Sequence, residues 1–192
     1  MPSEHEIRAL VAQVLDGVLS AETPPDAADQ GGDNGLPSIA VGADHGGFPL
    51  KEFLVFRLRE RGHRVEDCGT DSGDSVDYPV FAEAVAARVA SGACDVGIVV
   101  DGAGIGSAMA ANKVPGIRAA TCHDVSSARN SREHNHANVL SLGAGLIGKT
   151  LAWQIVEAWL DTPWAPGRHA RRVEMIMDIE RRHAGRATER AE

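Results

Sequence analysis

Positive charge is what this chain has too little of. Nineteen Lys and Arg stand against 27 Asp and Glu, a net charge of −8 with histidine neutral. That balance argues against nucleic acid and against an anionic membrane surface as partners, because both need a basic face. Long apolar runs are also missing: none reaches the roughly 20 residues of a membrane span. The N-terminus carries acids where a signal peptide has bases. Cysteine is scarce, and Cys68, Cys94 and Cys122 are an odd set without metal-ligand spacing. Reduced thiols in a cytoplasmic protein fit that pattern, and a disulfide framework does not. At 192 residues the chain suits one domain plus appendages, large enough to bury a core unaided.

What is present centres on residues 98–113, IVVDGAGIGSAMAANK. Three apolar residues run into Asp101, then Gly102, Gly104 and Gly106 alternate with other residues before a helix-favouring segment. This predicts a buried parallel strand that stops at a glycine turn opening a helix. Backbone N–H groups and the positive end of the helix dipole make such a turn an anion site. Asp101 puts a carboxylate beside it, where a purely anion-binding loop would gain nothing, so Asp101 is a candidate base.

Residues 3–20 carry Ile7, Leu10, Val11, Val14, Leu15, Val18 and Leu19 at helical spacing, with Ser3 and Glu6 in a capping-box pattern. Pro24 and Pro25 end the segment, and 23–37 read as a Pro/Gly/Asp-rich flexible linker. The expected layout is an amphipathic helix over 1–22, the linker over 23–37 and a catalytic domain over 38–192 with a C-terminal helix. The apolar stripe has to be buried, either on this domain, across an oligomer interface, or in a partner's groove. The segment resembles the encapsulation peptides that carry enzymes into bacterial microcompartments. That resemblance implies shell proteins as partners through residues 3–20 and a place in the microcompartment lumen.

From Ser38 onward strands and helices alternate. Strands are predicted over 39–43, 64–68, 96–100, 118–122 and 139–142, and helices over 50–61, 80–90, 107–112, 126–134 and 147–160. That order argues for an α/β domain with a five-stranded parallel sheet covered on both faces. In such a sheet ligands bind beyond the carboxyl ends of the strands. Asp44 and His45, Gly69 and Thr70, Asp101 with its loop, His123 and Asp124, and Gly143–Gly145 all follow strands.

The segments GADHGGFPLKEFL (42–54), DCGTDSGDSVDYP (67–79), GAGIGSAMAANKVPGIRAATCHD (102–124), ARNSREHNHANVLSLG (128–143) and the stretch from Trp159 to Ile176 resemble the type B ribose-5-phosphate isomerases and the related galactose-6-phosphate isomerase subunits. The resemblance implies a flavodoxin-like doubly wound domain, working as a homodimer with shared active sites, with a tetramer as the larger alternative. It implies metal-free, cofactor-free interconversion of an aldose phosphate and its ketose through an enediolate. On this chain's positions, His134 would open the sugar ring, and Asp44, His45, Tyr78, Asn135, Gly102, Gly104, Ile105, Gly106 and Ser107 would line the substrate site. Arg168 and Arg172 would hold the phosphate. The chemistry of these residue types agrees. Histidine titrates near neutral pH and serves as acid and base. Two arginines offer forked donors to phosphate, and loop amides can face an oxyanion.

The chain departs from the family pattern in three places. Asp101 stands where most members carry the proton-transfer cysteine, and Ser107 where others place a glutamate base. Asp101 is ionised near neutral pH without activation, and burial is expected to raise its pKa and strengthen it as a base. Gly145 replaces an arginine common after the fifth strand, and Ala103 a common loop hydroxyl. The leading expectation is isomerisation of ribose 5-phosphate to ribulose 5-phosphate. The alternatives are another pentose, deoxy-sugar or hexose phosphate, or a non-catalytic sugar-phosphate-binding homologue. Taken singly, Asp44–His45 could be a turn pair, Arg168 and Arg172 a solvated face, and His123 a strand-end cap. His5, His63, His169 and His183 are expected at the surface.

Overall fold

The computed structural model describes residues 35–189; the helix and linker expected over residues 1–34 lie outside the described residues. β1 (Ile39–Ala43), β2 (Val65–Asp67), β3 (Val96–Asp101), β4 (Ala119–Thr121) and β5 (Val139–Gly143) form one sheet in the order β2-β1-β3-β5-β4. Every pairing is parallel. The helices between them are α1 (Phe48–Glu60), α2 (Tyr78–Ala90), α3 (Ile105–Ala111), α4 (Val125–Glu133) and α5 (Lys149–Asp161), followed by α6 (Gly167–Glu189). This is the parallel sheet expected from the alternation, in the doubly wound, flavodoxin-like arrangement that the family resemblance implies.

β1, β3 and β5 are buried along their whole length, as apolar strands covered on both faces must be. On one face Leu50, Leu54 and Leu58 of α1 pack with Ile155, Val156 and Trp159 of α5. On the other, Ala82, Val85 and Ala86 of α2 pack with Ala111 of α3. α1 and α2 each begin two residues earlier than the apolar periodicity predicts. Pro49 and Pro79 sit in their first turns, where a missing N–H costs nothing and the fixed φ suits a helix.

Strand order reverses between β1 and β3, which are hydrogen-bonded neighbours with Ala43 opposite Val100. The loops after these two strands therefore flank the crevice where ligands enter such sheets. No helix among the described residues is long and apolar enough to cross a membrane. Burial pushes the Cys68 and Cys94 thiols up to about 11, so neither is a ready nucleophile.

Candidate active site

At the carboxyl edge of the sheet the chain leaves β1 through Asp44, His45, Gly46 and Gly47. The Asp44 Oδ1 accepts the Gly47 N–H at 2.8 Å, which turns the chain into α1. His45 is exposed, with Nδ1 3.2 Å from both the Val76 carbonyl oxygen and the Val76 nitrogen. The 69–77 loop thus sets which ring nitrogen faces solvent. Tyr78 opens α2 and lies over the glycine loop: a Cβ at Gly106 would stand 2.6 Å from the Tyr78 Cζ.

The glycine loop follows β3. Gly104 has φ +76°, and a Cβ there would stand 2.9 Å from the Leu142 carbonyl carbon. Only glycine can take both the left-handed backbone and this approach to β5. Hydroxyls fix the same residue from below, since Ser141 and Thr121 donate to its carbonyl at 2.5 and 3.0 Å. His123 Nε2 lies 3.1 Å from the Ala103 carbonyl. A carbonyl only accepts, so that nitrogen carries the proton. His123 is therefore part of the loop's support, beyond the strand-end cap read from sequence.

Asp101 is 5% exposed. Its Oδ1 accepts N–H groups from Ala103, at 2.8 Å, and from Gly104, and its Oδ2 accepts the Ser107 N–H at 2.9 Å. Burial by itself would raise the Asp101 pKa, but the hydrogen bonds from Ser107, Gly104 and Ala103 favour the charged form and outweigh it. The carboxyl therefore titrates below its ordinary value, against the expectation that burial strengthens it as a base. Ser107 is 2% exposed, so its side chain belongs to the interior beside Asp101. The loop amides not taken by Asp101 are those of Gly102, Ile105 and Gly106.

A second group lies at the other edge. α4 leaves the carboxyl edge and descends to the amino edge, where His134 is its C-cap. The His134 and His169 rings stack with centroids 4.1 Å apart, and Ala165 N–H bonds to the Glu133 carbonyl, so the start of α6 sits against the end of α4. Arg168 and Arg172 project from that first part of α6 and are exposed, as is Asn135. The His169 pKa is lowered by desolvation and then by His134, Arg168 and Arg172. A helix N-terminus, two guanidiniums and two imidazoles bring to this edge the kinds of donor that suit an anion such as phosphate.

The two groups do not meet within one chain. β5 has five residues, and at about 3.3 Å per residue its length separates the edges by about 16 Å. Asp44, His45, Tyr78, Asp101 and the loop stand together; His134, Asn135, Arg168 and Arg172 stand together elsewhere. Two histidines expected at the surface are not free there. His63 is 6% exposed with Nδ1 2.9 Å from the Pro37 carbonyl, and His169 stacks on His134. Nothing in the spacing pointed to either, because the partner in each case comes from a distant segment. No cluster of His, Cys, Asp and Glu that could hold a metal occurs among the described residues.

A model of the ribose/galactose isomerase family matches residues 39–176. The chain is similar to a "Ribose-5-phosphate isomerase B" of Escherichia coli (strain K12), 48% identical over 147 residues, which are 77% of this chain and 99% of that one. Among solved structures it is similar to Clostridium thermocellum ribose-5-phosphate isomerase B, with TM-score 0.75, 51% identity, and 76% of this chain and 99% of that one covered. It is also similar to Mycoplasma genitalium ribose-5-phosphate isomerase B with bound ribulose 5-phosphate, with TM-score 0.73, 36% identity, and 75% and 96% covered.

Proposed function

The chain belongs to the ribose/galactose isomerase family, and from that premise we propose that it interconverts an aldose phosphate and its ketose, with ribose 5-phosphate and ribulose 5-phosphate as the pair. The observation that carries the reading is the pairing of two unlike half-sites on one chain. One has carboxylates and free loop amides for enediolate chemistry. The other has a phosphate cradle and a titratable histidine.

A complete site then needs the carboxyl edge of one copy against the amino edge of another. A homodimer related by a two-fold axis supplies this twice, because an isologous contact matches each edge with its complement. In that arrangement Arg168 and Arg172 clamp the phosphate. His134 gives a proton to the ring oxygen and takes one from the C1 hydroxyl, opening the sugar. Asn135, His45 and Tyr78 hold hydroxyls. The amides of Gly102, Ile105 and Gly106 face the oxygen that gains charge as the enediolate forms. Deprotonation at C2 falls to an aspartate at the β1–β3 crevice. The sequence assigns it to Asp101, which is ionised at all physiological pH but spends three lone pairs on amides.

Purified protein should interconvert ribose 5-phosphate and ribulose 5-phosphate, and a panel of pentose, deoxy-sugar and hexose phosphates identifies the preferred one. Turnover of none of them, with binding retained, would replace the isomerase by a sugar-phosphate-binding homologue. Residues 3–20 we read as a shell-directing helix on a tether, supported by the apolar stripe and the linker composition. Residues 1–37 fused to a fluorescent protein should give puncta only in a host that makes shells, and diffuse fluorescence there would exclude this role.

A further inference from the structure

Two carboxylates stand side by side at the crevice. Asp44 follows β1 and Asp101 ends β3, and the strands pair with Ala43 opposite Val100, so these two residues are the next in register. They are spent very differently. Asp101 is nearly fully buried and accepts three backbone N–H groups. Asp44 is half-buried and accepts one, from Gly47 to Oδ1, while its Oδ2 accepts none among the described residues.

The Asp44 carboxylate and the Gly102 amide also approach one place from two sides: a Cβ added at Gly46 would stand 3.4 Å from the Asp44 Oδ1 and 4.0 Å from the Gly102 nitrogen. A carboxylate and an amide not taken by Asp101 therefore flank Gly46, as a base and an oxyanion donor must flank one reacting centre.

We infer that Asp44, rather than Asp101, moves the proton between C2 and C1, and that Asp101 is a positioning residue, the fixed anion on which the glycine loop folds. In the step, the Asp44 carboxylate takes the C2 proton. The C–H electron pair forms the C1–C2 double bond, and the C1 carbonyl pair moves to O1. The O2 hydroxyl proton passes to O1, the carbonyl forms at C2, and the double-bond pair at C1 takes the proton back from Asp44 to give the ketose, so no co-reactant is needed. Asp101 acts through the loop: by holding the amides of Ala103, Gly104 and Ser107, it leaves the Gly102 amide facing the developing oxyanion. A cysteine at position 101 could not take that part as a neutral thiol, because a thiol is a weak acceptor.

This inference rests on the isomerase reading, and one experiment separates the two. Wild type, Asp44→Asn, Asp101→Ser and Asp101→Asn are compared for ribose 5-phosphate turnover, for incorporation of solvent deuterium into the sugar, and for ribose 5-phosphate affinity by calorimetry. Asp101→Ser keeps an acceptor in the loop but has no base, and it guards against Asp101→Asn failing to fold. The expected result is that Asp44→Asn lowers kcat and deuterium incorporation by about 10³-fold, with affinity within about threefold. Asp101→Ser should keep turnover within about 10²-fold of wild type, with the loss in kcat rather than KM, as expected when an oxyanion donor is displaced. Deuterium incorporation that survives in Asp44→Asn but vanishes in folded Asp101→Ser would overturn the assignment. An inactive wild type would overturn the isomerase reading itself, and the assignment with it.

Discussion

Replacing Asp101 by Asn tests the loop geometry apart from any chemistry. The Asn side chain keeps one carbonyl oxygen, enough for the Ala103 and Gly104 N–H groups, but turns an NH₂ toward the Ser107 N–H. Losing a charge-assisted hydrogen bond costs about 1.5–3 kcal/mol, and leaving a buried donor unpaired costs about 1–3 kcal/mol. The two overlap, and a net loss of about 2–4 kcal/mol is expected out of a typical stability of about 5–15 kcal/mol. For a chain of this size that lowers the melting temperature by about 4–16 °C. The pH dependence has a definite sign. Asp101 titrates below its ordinary value in the folded protein. Its contribution is therefore full above the unfolded carboxyl pKa of about 3.9 and is lost as pH falls through the lower folded pKa. Melting curves of wild type and Asp101→Asn followed by circular dichroism should differ by a constant amount from about pH 5 upward and converge under acid. Equal melting temperatures at pH 7, or a gap that widens on acidification, would refute the three-amide geometry.

The remaining predictions concern both edges. Arg168→Ala and Arg172→Ala should each lower kcat/KM for ribose 5-phosphate by roughly 10–100-fold, mostly in KM, the loss of a hydrogen bond between charged groups; unchanged KM in both would remove the phosphate from this patch. Gly104→Ala should destabilise the protein by about 1–3 kcal/mol through its left-handed backbone, measured by urea unfolding, because its φ is +76° and the added carbon meets Leu142. Phosphate binding should raise the His169 pKa, which desolvation and then the positive charge of His134, Arg168 and Arg172 now lower. NMR titration with and without inorganic phosphate reads this directly, and an unmoved pKa would place the anion elsewhere.

Much of the scaffold could be read from residue order, because β1, β3 and β5 are apolar runs and the segments between them carry helical periodicity. The helix starts were less legible. Proline reads as a breaker, yet Pro49 and Pro79 sit inside first turns. The carboxyl-edge residues were also legible, since each directly follows a strand. His134 was harder to place. It ends a helix rather than a strand, and a nine-residue helix carries it to the opposite edge. The state of Asp101 depends on amides two, three and six residues further on. Their directions follow from the turn at Gly104, which residue types alone do not specify. The stacking of His134 on His169 and the burial of His63 against Pro37 depend on contacts between distant segments, which periodicity does not encode.

In the proposed mechanism one chain carries two half-sites that become an isomerase site only between copies. Subunit complementation puts this to the test. Asp44→Asn disables the carboxyl-edge half and His134→Ala the amino-edge half, each leaving the other intact. Mixed in equal amounts and allowed to exchange subunits, two inactive variants should recover roughly a quarter of wild-type ribose 5-phosphate turnover, because half the pairs are mixed and each mixed pair holds one intact site. No recovery, in a mixture shown by mass spectrometry to contain mixed pairs, would contradict a site shared between copies.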